Sequence, residues 1–381
     1  MAKVVVLKVT SYDVKIIKDK LLEGLNLLGG IEKIIPKNQS ILLKPNLLMG
    51  VDVDESVTTH PNVFKAIADI LLDKGYTVGY GDSPGFGKPS KVASKAGISS
   101  IANDLKIPLA NFDHGHTIHH PEGNISKQFE VVDAIDDYDA ILNLPKMKTH
   151  ALQRITGAVK NSFGLVYGLN KGLMHARFQD AHTFAQMLVD LNTYLGVNLH
   201  IMDGIIAMEG NGPKNGHPTM MNTILISQDP VALDAVFCQL IDINPNYIPT
   251  ITLGTKSGLG DHHHITLLGD TIDTLINPDF KIERAPLKSS ESSSLTFLKN
   301  HIIRRPYIIE NKCKKCGVCV DVCPIDTKAI NFVSDQKTSP PKYDYTKCIR
   351  CYCCQEMCPH NAISIKTPFL GKLAYRLRIL K

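Results

Sequence analysis

The chain has 381 residues, 44% of them hydrophobic, with Lys+Arg 42 against Asp+Glu 37 and a formal charge of +5. That length exceeds one ordinary core and implies two or three folding units, while so small a basic excess excludes nucleic acid as the expected partner. The N-terminal residues lack the apolar stretch and cleavage site of a secretion signal, and no apolar run reaches the roughly 18 residues of a membrane span, so a cytoplasmic protein with no transmembrane segment is expected.

Residues 4–9 are a continuous apolar-rich run of buried-strand length. Val14, Ile17, Leu21, Leu25 and Leu28 follow at helical spacing and stop at Gly29-Gly30. Residues 41–44 read as a strand, and Pro61 opens a helix with Val63, Phe64, Ile67 and Leu71 on one face. Further strands are predicted over 78–81, 140–144, 199–202 and 223–227. Helices are predicted around Phe184, Leu188 and Leu191, and from Asp229-Pro230, a cap followed by a first-turn proline. Strands alternating with helices predict an α/β domain over 1–288, a mostly parallel sheet covered by helices. A serine-rich linker is expected over 289–305, then a small α+β ferredoxin-type domain over 306–368. Residues 369–381 read as an amphipathic basic tail that packs on its own chain or makes peripheral contact with a membrane.

The C-terminal module carries the sharpest signal. It reads Cys313-x2-Cys316-x2-Cys319-x3-Cys323-Pro324, then Cys348-x2-Cys351-x2-Cys354-x3-Cys358-Pro359. Three thiolates two residues apart wrap one face of a cuboidal cluster, and the fourth comes from the other run. Cys313, Cys316, Cys319 and Cys358 are therefore expected to hold one [4Fe–4S] cluster, and Cys348, Cys351, Cys354 and Cys323 a second. Structural zinc and a disulfide framework are the rival readings; zinc sites usually spend their ligands as two CxxC pairs, and nothing indicates secretion. Cys238 and Cys353 are left spare.

In an open parallel sheet, ligands bind beyond the carboxyl ends of the strands. Four strand ends lead into polar segments: Lys44-Pro45-Asn46 with His60 downstream, Gly81 to Lys88 containing Asp82, Pro145 to His150 containing Lys146 and Lys148, and Asp203 to Lys214 containing Glu209. On this reading Lys44, Lys146, Lys148 and Lys160 hold the negative charge of an acceptor, and Lys44, Lys146, Lys148 and His150 lie on one exposed concave surface open towards the ferredoxin module. His60 or His150 would supply protons, and Asp82, Asp203 and Glu209 are further acid–base candidates. Gly85-Phe86-Gly87-Lys88 lacks the spacing of a nucleotide P-loop. The histidines at 114–120 and 262–264 read as surface loops.

Leu43-Lys44-Pro45-Asn46, Thr59-His60-Pro61, Gly81-Asp82-Ser83-Pro84, the run from Leu144 to His150, Lys160-Asn161-Ser162-Phe163-Gly164 and Asp203-Gly204 together resemble the family known as domain of unknown function 362. The resemblance covers roughly residues 1–285 and implies the same domain plan, with a two-cluster ferredoxin module at the end; it implies no substrate. The residues thus point to an oxidoreductase that passes low-potential electrons from two [4Fe–4S] clusters to a small anionic acceptor, with a redox partner protein as donor or acceptor. The alternatives are a ferredoxin fused to a docking, assembly or redox-sensing domain, and a non-redox enzyme with structural clusters.

Overall fold

The computed structural model describes residues 1–168, 170–286, 301 and 303–371. Most of the expected linker and basic tail falls outside the described residues.

Eleven strands belong to the larger part: β1 (Ala2–Lys8), β2 (Ser40–Pro45), β3 (Thr77–Tyr80), β4 (Gly115–His119), β5 (Gln128–Val132), β6 (Ala140–Leu144), β7 (Lys146–His150), β8 (Arg154–Thr156), β9 (Leu199–Glu209), β10 (His217–Ser227) and β11 (Ile265–Gly269). Seven run in the order β11-β1-β10-β9-β6-β2-β3, with β7 beside β9 and β8 beside β7. Five pairings are parallel; β10 runs antiparallel to both neighbours, and β7–β8 is a short antiparallel pair. The sheet is mostly parallel, as read from the strand–helix alternation.

The period of two in β1 decides which core each side chain joins. Val4 and Val6 pack with the helices Ala181–Leu195 and Pro230–Leu240, while Val5 and Leu7 pack on the other face with Val14–Leu27 and Pro61–Asp73. Asp229 caps its helix as expected, accepting from the Val231 and Ala232 N–H groups.

Three expectations need correction. Residues 146–150 and Asp203 are not in loops after strands: they lie within β7 and β9, because β9 and β10, 11 residues each, form one long hairpin. Of the histidines at 114–120, His116 and His119 lie in β4, which pairs with β5, rather than in a loop. Lys44, Lys146 and Lys148 are each about 1% exposed, not surface groups.

The C-terminal part is built on β12 (Arg305–Ile308) paired with β15 (Ile363–Lys366), and β13 (Ile330–Asn331) paired with β14 (Lys342–Tyr343). It docks on the β9–β10 turn: Gln355 donates to the Asn211 carbonyl (2.8 Å), Asn215 to the Gln355 carbonyl (2.8 Å), and Lys214 to the Cys358 carbonyl (3.2 Å). Among the described residues no helix is long and apolar enough to cross a membrane.

Candidate functional site

Within the C-terminal part the two cysteine runs fold alike. Lys315 and Gly317 have φ of 56° and 86°, and the matching Arg350 and Tyr352 have 66° and 65°. These left-handed residues curl each run so that its thiols face inward. Cys313, Cys316, Cys319 and Cys358 line one small cavity, and Cys323, Cys348, Cys351 and Cys354 line another. The Ala329 N–H donates to Cys323 Sγ (3.4 Å) and the Ala362 N–H to Cys358 Sγ (3.3 Å). Four thiols around each cavity, with N–H donors to the sulfur of each run's last cysteine, suit a [4Fe–4S] cluster, whose ligands are anionic. Cys353 lines neither cavity, and Cys238 is buried in the helix Pro230–Leu240.

Between the two parts lies a much larger cavity of about 520 Å³. From the α/β side Lys44, Lys148, Lys160 and Lys171 reach it, with Asp82 and His175. From the ferredoxin side come Cys323, Cys353, Glu356 and Met357. Cys323, an expected cluster ligand, therefore shares one space with these four lysines of the α/β side.

Each lysine is held differently. Lys44 Nζ pairs with Asp82 Oδ1 at 2.8 Å, and Asp82 Oδ2 accepts from the Leu47 N–H. Gly164 makes room for this pair: a Cβ there would lie 1.8 Å from Asp82 Oδ1 and 2.6 Å from Lys44 Nζ. Lys148 Nζ donates to Asn46 Oδ1 (2.9 Å) and the Val57 carbonyl (2.7 Å). Asn46 in turn donates to Asn161, and Asn161 to Asn143, so a chain of amides fixes which face of Asn46 meets the ammonium. Lys171 Nζ donates to Ser83 Oγ and the Val166 carbonyl, both at 2.6 Å.

Burial pushes down the proton affinities of all four lysines, most strongly at Lys148, and brings Lys171 to about 7. Lys160 is the electrostatic centre: its charge further disfavours protons on Lys44, Lys148, Lys171, His150 and His175. Burial also takes His150 to about 4 and His175 to about 3, so both are neutral at pH 7. His150 Nδ1 accepts the Leu152 and Gln153 N–H groups, which leaves the proton on Nε2, 2.9 Å from Glu356 Oε1. Burial opposes ionisation of Glu356, but His150 and Lys160 outweigh it and hold the carboxyl at about 2.

The remaining sequence-derived candidates lie elsewhere. Lys146 does not line the cavity with Lys44 and Lys148; its Nζ pairs with Asp203 Oδ2 at 2.7 Å and donates to the Tyr12 hydroxyl at 2.9 Å. Tyr12 donates to Asp203 Oδ1 (2.9 Å) and stacks on His60 at 3.5 Å, while the His60 N–H donates to Asp203 Oδ2. The cause is an irregular register: Lys146 lies opposite Asp203, yet Lys148 lies opposite Met208. Glu209 also stands apart, bound by the Lys281 N–H and ammonium. His150 reaches the shared site only through Glu356. Lys171 and Glu356 were not singled out from the sequence. Lys171 follows no strand, and Glu356 sits between two cluster-type cysteines, which hides its role outside that module.

The family described as Domain of unknown function (DUF362) matches residues 41–239, and a 4Fe-4S dicluster domain matches residues 312–362. A thylakoid-associated protein of Synechocystis sp. is 34% identical over 254 residues, which cover 66% of this chain and 78% of that protein. Among solved structures, the lactate racemase apoprotein from Thermoanaerobacterium thermosaccharolyticum aligns with a TM-score of 0.41 and 10% identity, over 62% of this chain and 56% of that one. A Thermotoga maritima protein aligns with a TM-score of 0.34 and 14% identity, over 63% and 59%. The chain spans less than two thirds of either structure.

Proposed function

Because the chain belongs to the family described as Domain of unknown function (DUF362) and ends in a two-cluster [4Fe–4S] ferredoxin domain, we propose that it is an oxidoreductase delivering electrons to a small anionic acceptor bound between the two parts. It is an iron–sulfur protein, and its ferredoxin domain implies a redox partner. When bound, the clusters supply one-electron transfer at low potential. Cys313, Cys316, Cys319 and Cys358 would hold one, and Cys348, Cys351, Cys354 and Cys323 the other.

One observation carries this reading: the lysine-lined cavity shares a wall with Cys323, a ligand of the second cluster on this assignment. Lys148, Lys160 and Lys171 bind and orient the anion. Asp82 keeps Lys44 in place and cancels its charge. Lys171, with a proton affinity near 7, is the group suited to hand a proton to bound acceptor at neutral pH. His60, Asp203 and Glu209 have no place in this chemistry, since they lie off the cavity.

We place the boundary between the parts at the 289–305 linker and the protein in the cytoplasm; the thylakoid association named for the Synechocystis relative makes membrane fractionation the check on that location. The functional test is to reduce the cluster-loaded protein without oxygen and add a panel of small anionic metabolites. Saturable reoxidation by at least one of them is expected. Reoxidation by none of them would leave a ferredoxin joined to a docking or sensing domain.

A further inference from the structure

Three lysines in the cavity lack a carboxylate partner. Lys44 is cancelled by Asp82, but among the described residues Lys148, Lys160 and Lys171 make no ion pair. Glu356, the one further buried carboxylate in the lining, offsets one of these charges. Asp321 and Asp326 also line the cavity but are exposed, with Lys328 beside them in the wall, so water screens them. The interior therefore carries an excess of about two positive charges when its lysines are protonated. Unpaired buried charge is costly, so a site with this excess is built for a dianion.

The identity of the cations narrows the choice. No arginine lines the cavity among the described residues. The cations are separate lysine point charges, which suit the tetrahedral oxygens of phosphate, accepting from several directions. Apolar side chains form a further part of the wall: Leu48, Phe163 and Leu173 from the α/β side, and Val322, Ile325 and Met357 from the ferredoxin side. A volume of about 520 Å³ is far more than a bare phosphate fills and falls in the range of cofactor sites.

We propose that the cavity binds a phosphate monoester carrying a flat apolar body, its phosphate on Lys148, Lys160 and Lys171 and its body against Phe163 and Met357. The phosphate turns away from the thiolate-rich ferredoxin side and leaves the apolar body next to it. That such a ligand also accepts electrons rests on the function proposed above; its binding does not.

Flavin mononucleotide and riboflavin are suitable probes, since they differ by the phosphate alone. Titrated into the oxygen-free, cluster-loaded full chain and followed by flavin fluorescence, flavin mononucleotide should bind at least about tenfold more tightly than riboflavin. Inorganic phosphate should displace it, and succinate at the same concentration should not. Lys160→Gln, with unchanged iron content, should shrink the gap between the two flavins to less than about threefold. If that variant loses iron, Lys171→Gln serves in its place. The affinity for flavin mononucleotide should fall as pH rises through about 7, where Lys171, beside Ser83, Asp82, Lys44 and Lys160, gives up its proton; riboflavin should show no such fall. Equal binding of the two flavins, a gap that survives the variants, or no binding of flavin mononucleotide would overturn the proposal. Phosphate-dependent binding without any reoxidation of the reduced protein would uphold this ligand class and remove the electron-transfer reading instead.

Discussion

Lys146 and Lys148 sit two residues apart on β7 and do opposite things, Lys146 in a closed polar group and Lys148 in the cavity with the helix-borne Lys160 and Lys171. Around Lys146 every polar atom named above is satisfied from within the protein: Asp203 neutralises the ammonium, Tyr12 bridges both, and the His60 ring and backbone close the group. Around Lys160 the polar groups face the cavity, and Lys148 and Lys171 are held by carbonyls, a hydroxyl and an amide rather than by carboxylates. A lysine at the end of a β-strand is thus no sign of a site in itself. The distinguishing mark is positive charge left over after internal partners are counted. The closed group ties Tyr12, which precedes the first helix, to β7 and β9, while the open group waits for a ligand.

The comparison breaks most visibly in acid. His150, His175 and His200 are kept neutral by burial, with affinities pushed down to about 4, 3 and 3. The unfolded chain takes up these protons near pH 6.5, so below that pH the unfolded state binds more of them and folding stability falls. Each histidine should cost on the order of 3 kcal/mol by pH 4, read as a falling urea midpoint from pH 7 to pH 4. Glu356 adds a loss only below about pH 4.5, because its folded affinity lies at about 2. A midpoint that is flat between pH 7 and 4 would contradict burial of these rings.

Lys146→Ala leaves Asp203 charged and buried, and should cost about 3–5 kcal/mol in chemical unfolding while leaving anion binding in the surviving folded protein intact. Gly164→Ala forces a methyl group into the Lys44–Asp82 pair and should cost about 1–3 kcal/mol, with weaker anion binding as well. The smallest effect belongs to Cys353→Ser, which should keep all eight irons because Cys353 lines neither cluster cavity; Cys354→Ser should lose iron. Iron loss from the first and not the second would reverse the ligand assignment.

Much of this was legible in the residues. The cysteine spacing set out the ferredoxin module, apolar runs alternating with helical stripes gave the covered sheet, and Lys44, Asp82 and Lys148 were placed near one another by the strand-end rule. The split between Lys146 and Lys148 was not legible, because two residues along an ordinary strand share a face and nothing in the local sequence marks the shifted pairing of β7 with β9. Nor was the reach of the hairpin: Ala207-Met208-Glu209 continues a strand whose partners, Thr219, Pro218 and His217, lie across a turn that the pairing alone defines. Asn211 and Lys214 read as part of a ligand loop but, with Asn215, dock the ferredoxin module instead. Glu356 belongs to the site only because that docking brings it there.

The central claim is that the anion on these lysines is where the electrons go. It is tested most directly by comparing reoxidation of the reduced wild-type protein with that of Lys160→Gln at matched iron content. Lys160 makes no ion pair among the described residues, so its replacement breaks no salt bridge. The account predicts that the anion which reoxidises the wild type saturably does so in the variant only at about tenfold or higher concentration, with the cluster spectrum unchanged. Identical saturation curves for the two proteins would place the acceptor elsewhere and contradict it.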